Sequence, residues 1–97
     1  MESSFGETIR RLREEQNLLL RELSAKLEID PSVLSKIETD NRVATKNQVQ
    51  KLAEVFKIDY QKLLIIWFSD KIADELKNEE NISEILKMTE QKIKNEK

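Results

Sequence analysis

One glycine and one proline are the only strong backbone breakers in this 97-residue chain. Strands need frequent turns, and no stretch alternates β-branched with polar residues, so the chain reads as all-α. The proline marks the sharpest boundary. Asp30 before Pro31 is a helix start, an N-cap acceptor followed by the residue whose missing N–H costs nothing at the first helical position. Upstream, Leu20, Leu23 and Leu27 line one stripe of a helix from about Leu20 to Leu27. Only Glu28, Ile29 and Asp30 separate it from the next helix, Pro31 to about Glu38, whose Leu34 and Ile37 face inward. A connection that short forces a steep crossing and leaves the second helix free to project, which is helix-turn-helix geometry. Ser24, small and on the inner side, lets the two helices approach.

The remaining helices follow from caps and spacing. Phe5, Ile9 and Leu12 recur at helical intervals after Ser4, which with Glu7 forms a candidate capping box, and Asn17 suits a left-handed helix end. Thr45 and Gln48 form a second box, opening a helix with Val49, Leu52, Ala53 and Phe56 inward. Asp59 caps a fifth helix from Tyr60 to about Leu76. Asn81 with Glu84 caps a sixth, carrying a thin stripe of Ile82, Ile85, Leu86 and Ile93.

Composition removes whole classes of function. With no cysteine and no histidine there is no disulfide, no metal site of either residue and no catalysis by either side chain. A single glycine leaves no phosphate-cradling loop, and no nucleophile–base pair is evident. Asp70, Asp74 and Glu75 cluster on one turn but read as solvated helix charges. No enzyme activity, cofactor, metal or small-molecule ligand is therefore expected. The N-terminus lacks a cleavable apolar segment, and the longest apolar run, Leu63 to Phe68, falls far short of the ~20 residues that span a bilayer. A cytoplasmic protein without a membrane partner is the simplest expectation. Seventeen basic against nineteen acidic residues give a net charge of −2, so nucleic-acid binding would have to rest on local charge.

The stretch LLLRELSAKLEIDPSVLSKIE, with IRRLREEQNL before it and NQVQKLAEVFKIDYQKLL after it, resembles the XRE (Cro/CI-like) family of phage repressors and bacterial regulators. The resemblance covers roughly Phe5 to Leu64. It implies a five-helix Cro/CI-like domain, here with an extended fifth helix and an additional C-terminal one. It also implies double-stranded DNA as partner. Pro31, Ser32, Val33 and Lys36 match the positions that face base edges, with Ser35 a lesser candidate. Lys36 would reach guanine O6 and N7, Ser32 a base or phosphate, and Val33 a thymine methyl. Arg42 and Lys46 match positions along the phosphate backbone, and the helix start at Thr45 to Asn47 would offer N–H groups to a phosphate. Arg13 and Glu38 match a structural ion pair.

Departures from the family pattern are specific. Leu19-Leu20 stands where members commonly have Thr-Gln, removing a cap and a phosphate contact. Glu28 and Asp40 replace glycines, and Asp30 and Asp40 bring negative charge towards the expected DNA face.

Two units are expected, a DNA-binding domain over 4–64 and a helical extension over 65–97. The extension begins with Ile65, Ile66, Trp67 and Phe68, apolar on more than one side, which calls for a second partner. A homodimer through Leu64, Ile65, Trp67 and Phe68 meets that need; the alternative is that the sixth helix covers the surface within one chain. The function expected is a sequence-specific transcriptional regulator, with restriction–modification controller proteins the nearest in layout. The competing expectation is a protein-interaction module that keeps the fold without binding DNA.

Overall fold

The computed structural model describes residues 3–96. Within them the chain forms six helices and no strand: α1 (Phe5–Glu15), α2 (Leu20–Leu27), α3 (Pro31–Glu38), α4 (Lys46–Phe56), α5 (Tyr60–Leu76) and α6 (Ile82–Asn95). Four helices begin where a side chain takes up an orphan N–H. Ser4, Asp30, Thr45 and Asp59 accept from the backbone of Glu7, Ser32, Gln48 and Gln61. Gln48 returns the bond to the Thr45 N–H at 2.9 Å, completing that box. Two starts differ. Leu19 has no acceptor, so α2 keeps only the returning half, Glu22 Oε1 accepting from the Leu19 N–H at 2.7 Å. Asn81 makes no side-chain cap bond. Its ψ of 50° is off the extended region that aims a cap side chain into the first turn.

The ends of α1 to α4 share one device. Asn17, Glu28, Asp40 and Lys57 all have φ between 57° and 62°. In each case the next N–H reaches back five residues, Leu18 to Arg13, Ile29 to Ser24, Asn41 to Lys36 and Ile58 to Ala53. These are Schellman closures built without glycine. For a residue with a Cβ this conformation costs roughly 1–2 kcal/mol, less for Asn and Asp. Lys57→Gly and Glu28→Gly are therefore expected to raise unfolding stability by about 1 kcal/mol each, after the extra chain entropy of glycine is offset. Urea denaturation checks this; a lowered midpoint for Lys57→Gly would contradict it.

The single glycine is used elsewhere. Gly6 lies in the first turn of α1, buried against the C-terminal end of α3. A Cβ there would sit 2.8 Å from the Glu38 carbonyl oxygen and closer still to that of Ile37. The α1–α3 approach thus depends on the absence of a side chain.

The core is one cluster. Ile9 from α1, Leu23 and Leu27 from α2, Leu34 and Ile37 from α3, Val49 and Leu52 from α4 and Leu63 from α5 are all essentially inaccessible. Each fully buried Leu or Ile contributes about 1.5–3 kcal/mol of transfer free energy. Trp67 closes the cluster at 7 % exposure, three residues beyond the boundary expected at Leu64. No described residue after Trp67 is buried. Beyond Trp67, the end of α5 and the start of α6 line a groove with Ile72, Ala73, Leu76, Ile82 and Leu86. Ile65, Phe68 and Ile72 stay exposed, so α6 does not cover α5 within the chain. No helix among the described residues is long and apolar enough to cross a membrane.

Candidate nucleic-acid interface

α3 presents two unlike faces. Leu34, Ile37 and Glu38 are buried, while Pro31, Ser32, Ser35, Lys36 and Thr39 are exposed. The exposed set falls on rows of four-residue spacing, so it makes one polar surface. Val33 departs from the expectation. It is half-buried and packs against the core, leaving only part of its side chain for a ligand.

The inner face is held by an ion pair. Arg13 Nε and Nη2 donate to the two Glu38 carboxylate oxygens at 2.7 and 3.0 Å, a bidentate fork. Arg13 Nη1 donates to the Leu18 carbonyl at 2.9 Å, closing the end of α1 with the same side chain. The side chains are 14 % and 5 % exposed. The hydrogen bonds it donates to Glu38 hold the Arg13 guanidinium protonated even more firmly than usual, against the opposing effect of burial.

The two aspartates that brought charge towards this face are engaged within the chain. Asp30 accepts from the backbone and the hydroxyl of Ser32, at 3.1 and 3.0 Å. These bonds hold its carboxyl below the usual range. The cap is thus intact above the ordinary carboxylate pKa and is lost only as pH falls through the lowered value. Ser32 commits its hydroxyl proton there and offers a ligand an acceptor only. Asp40 turns to α1, accepting from the Gly6 N–H at 3.0 Å and the Ser4 hydroxyl at 2.6 Å.

Asp70 corrects the reading of the acidic turn on α5. It accepts from the Phe5 N–H at 2.7 Å, so two carboxylates cap the start of α1, where the helix dipole favours them. No local pattern signals this, since Phe5 and Asp70 lie 65 positions apart. Among the described residues Asp74 pairs with exposed Lys77 alone, as a solvated helix charge should.

After α3 the chain runs through Asn41, Arg42 and Val43, all exposed, to buried Ala44. The Ala44 carbonyl accepts from the Trp67 indole Nε1 at 2.8 Å. This corrects the placement of Trp67 on a dimer surface. Its ring completes the core and its polar edge fixes the loop, as a buried indole requires. Leu64 is half-buried, so the apolar surface left on α5 is carried by Ile65, Phe68 and Ile72. Thr45, Lys46 and Asn47 stand exposed at the start of α4. Lys46 and Asn47 are its first two residues, whose N–H groups no helical turn can satisfy. The structure thus gathers the polar face of α3, Arg42 and this helix end along one connected stretch of chain.

A protein-family model described as Helix-turn-helix matches residues 9–63. The HTH-type transcriptional repressor RghR of Bacillus subtilis (strain 168) is 39 % identical over 62 residues, which make up 63 % of this chain and 46 % of that protein. The match thus spans less than half of the curated relative. Among solved structures, a chain of the SinR protein/SinI protein complex superposes with a TM-score of 0.58 at 20 % identity. That likeness of fold covers 96 % of this chain and 99 % of the other.

Proposed function

Because the chain belongs to the Helix-turn-helix family, we propose that it is a sequence-specific DNA-binding regulator of transcription, acting in the cytoplasm as a homodimer on an inverted-repeat operator. The observation that carries the reading is α3 itself. Its inner face is locked by Leu34, Ile37 and the Arg13–Glu38 pair, and its outer face is exposed and polar. In this reading a five-helix module, whose core runs on to Trp67, holds α3 in the major groove. Pro31, Ser32, Ser35 and Lys36 meet base edges, with Lys36 the principal donor to guanine and Val33 contributing its exposed edge. Arg42, Thr45, Lys46 and Asn47 follow the phosphates. Pairing two modules adds their cationic contacts and so offsets the acidic balance of the chain.

The dimer reading rests on the unfilled apolar surface of α5 and α6, where Ile65, Phe68, Ile72, Ile82 and Leu86 are exposed. The same surface supports the second reading, a module that binds another protein and not DNA. The solved neighbour was itself seen in a complex of two proteins, SinR and SinI.

Selection of bound duplexes from a random pool at near-physiological salt tests the proposal. Enrichment of an inverted repeat, with half-sites about ten base pairs apart or a multiple of it, is expected. Lys36→Ala should lose about 1–3 kcal/mol of discrimination at one base position of each half-site while leaving the melting temperature near the parent's. No enrichment, with no salt-dependent binding, favours the second reading. Sedimentation as a monomer at tens of micromolar removes the dimer.

A further inference from the structure

Phe68 is exposed, but part of its ring is already engaged by its own chain. The Lys46 ammonium lies over its ring, 5.0 Å from the centroid, within cation–π range. The ring in turn meets Trp67 edge-on, with centroids 4.9 Å apart and an interplanar angle of 76°. Trp67 is itself fixed by burial and by its bond to the Ala44 carbonyl. The chain of contacts therefore runs from the core through two aromatic rings to a lysine at the first position of α4.

That position needs support. A cation at a helix N-terminus faces the positive end of the dipole, which pushes it away. Lys46 forms no ion pair among the described residues. We infer that Phe68 is a positioning residue for phosphate binding, holding the Lys46 ammonium over the start of α4 where a DNA phosphate would meet both it and the helix N–H groups. This inference rests on the DNA-binding reading above. The choice of an aromatic partner matters chemically. A carboxylate would hold the lysine but neutralise it and occupy its donors. A ring attracts the cation by its quadrupole and leaves the charge and the N–H bonds for the phosphate. It follows that one face of Phe68 is taken by its own chain, and that Ile65 and Ile72 remain for any partner of α5.

The test is a double-mutant cycle on the full chain. Affinity for a random-sequence duplex is measured across a salt series for the parent, Phe68→Leu, Lys46→Met and the double variant. Phe68→Leu is expected to weaken binding about two- to five-fold in the parent and not at all in the Lys46→Met background. Phe68→Trp restores parental affinity. The upfield ring-current displacement of the Lys46 ε-methylene protons disappears in Phe68→Leu and persists in Phe68→Trp. An equal loss in both backgrounds, or Lys46 protons at random-coil positions in the parent, overturns the positioning role while DNA binding stands. A parent that binds no duplex at any salt overturns the DNA reading itself and this inference with it.

Discussion

Arg13→Ala should destabilise the folded chain by about 3–5 kcal/mol, the usual consequence of removing one partner from a buried ion pair. The loss lies mainly in what remains. Glu38 is 5 % exposed at its side chain and sits at the last residue of α3, where the helix dipole already disfavours an anion. Without the guanidinium its carboxylate keeps neither counter-charge nor water. The Leu18 carbonyl loses its donor at the same time. For a domain of this size each kcal/mol is worth roughly 4–8 °C of melting temperature, so the variant should melt at least about 12 °C below the parent. Replacing both partners separates this account from a general loss of packing. Arg13→Met with Glu38→Leu removes the stranded charge and is expected to recover most of the stability. If the double variant melts as low as the single one, the buried charge is not the cause. Since the pair joins α1 to the end of α3, Arg13→Ala should also weaken DNA binding by loosening α3, whereas Lys36→Ala acts on binding alone.

What could be read from the sequence was what is encoded within a few residues. Ser4, Asp30, Thr45 and Asp59 announce helix starts because an N-cap bond spans two or three positions. The inward stripes of α1 to α4 follow from helical spacing in the same way. Helix ends were harder. Asn17 and Asp40 are of the types that tolerate a left-handed conformation, but Glu28 and Lys57 adopt it with no preference for it. There the five-residue closure and the packing of the following Ile29 and Ile58 against the core override local propensity. Long-range polar contacts had no sequence signal at all. Asp40 and Asp70 both cap α1, from 34 and 65 positions away. The Arg13–Glu38 pair came only through family resemblance, because nothing in helical periodicity couples two positions 25 apart. For Trp67, burial in a contact was legible but its partner was not. An apolar run on α5 says that two surfaces must be covered, and not which residue faces the chain's own core.

Gly6 is where sequence and structure give opposite signs. A glycine inside a helix costs roughly 0.5–1 kcal/mol relative to alanine, so propensity alone expects Gly6→Ala to stabilise α1. The packing expects the reverse. The added Cβ would meet the carbonyl oxygens of Ile37 and Glu38 and the Asp40 carboxylate, the last at 2.5 Å. A side chain can swing aside; two backbone oxygens inside a helix cannot. Relief requires α1 to move off α3, which stretches the Gly6–Asp40 and Ser4–Asp40 bonds and misaligns the Arg13–Glu38 fork. Overpacking of this kind costs about 1–3 kcal/mol and occasionally more, which exceeds the propensity gain. Gly6→Ala should therefore lower the melting temperature while Lys57→Gly raises it, although helix preference alone ranks Gly6→Ala as the favourable change. A raised melting temperature for Gly6→Ala would mean that α1 and α3 can part at no cost. The close approach that fixes α3 could then not be what orients its outer face. If the expected loss is found, it should be accompanied by weaker DNA binding at temperatures where the variant is still folded, because the clash falls on the last turn of the helix proposed to enter the groove.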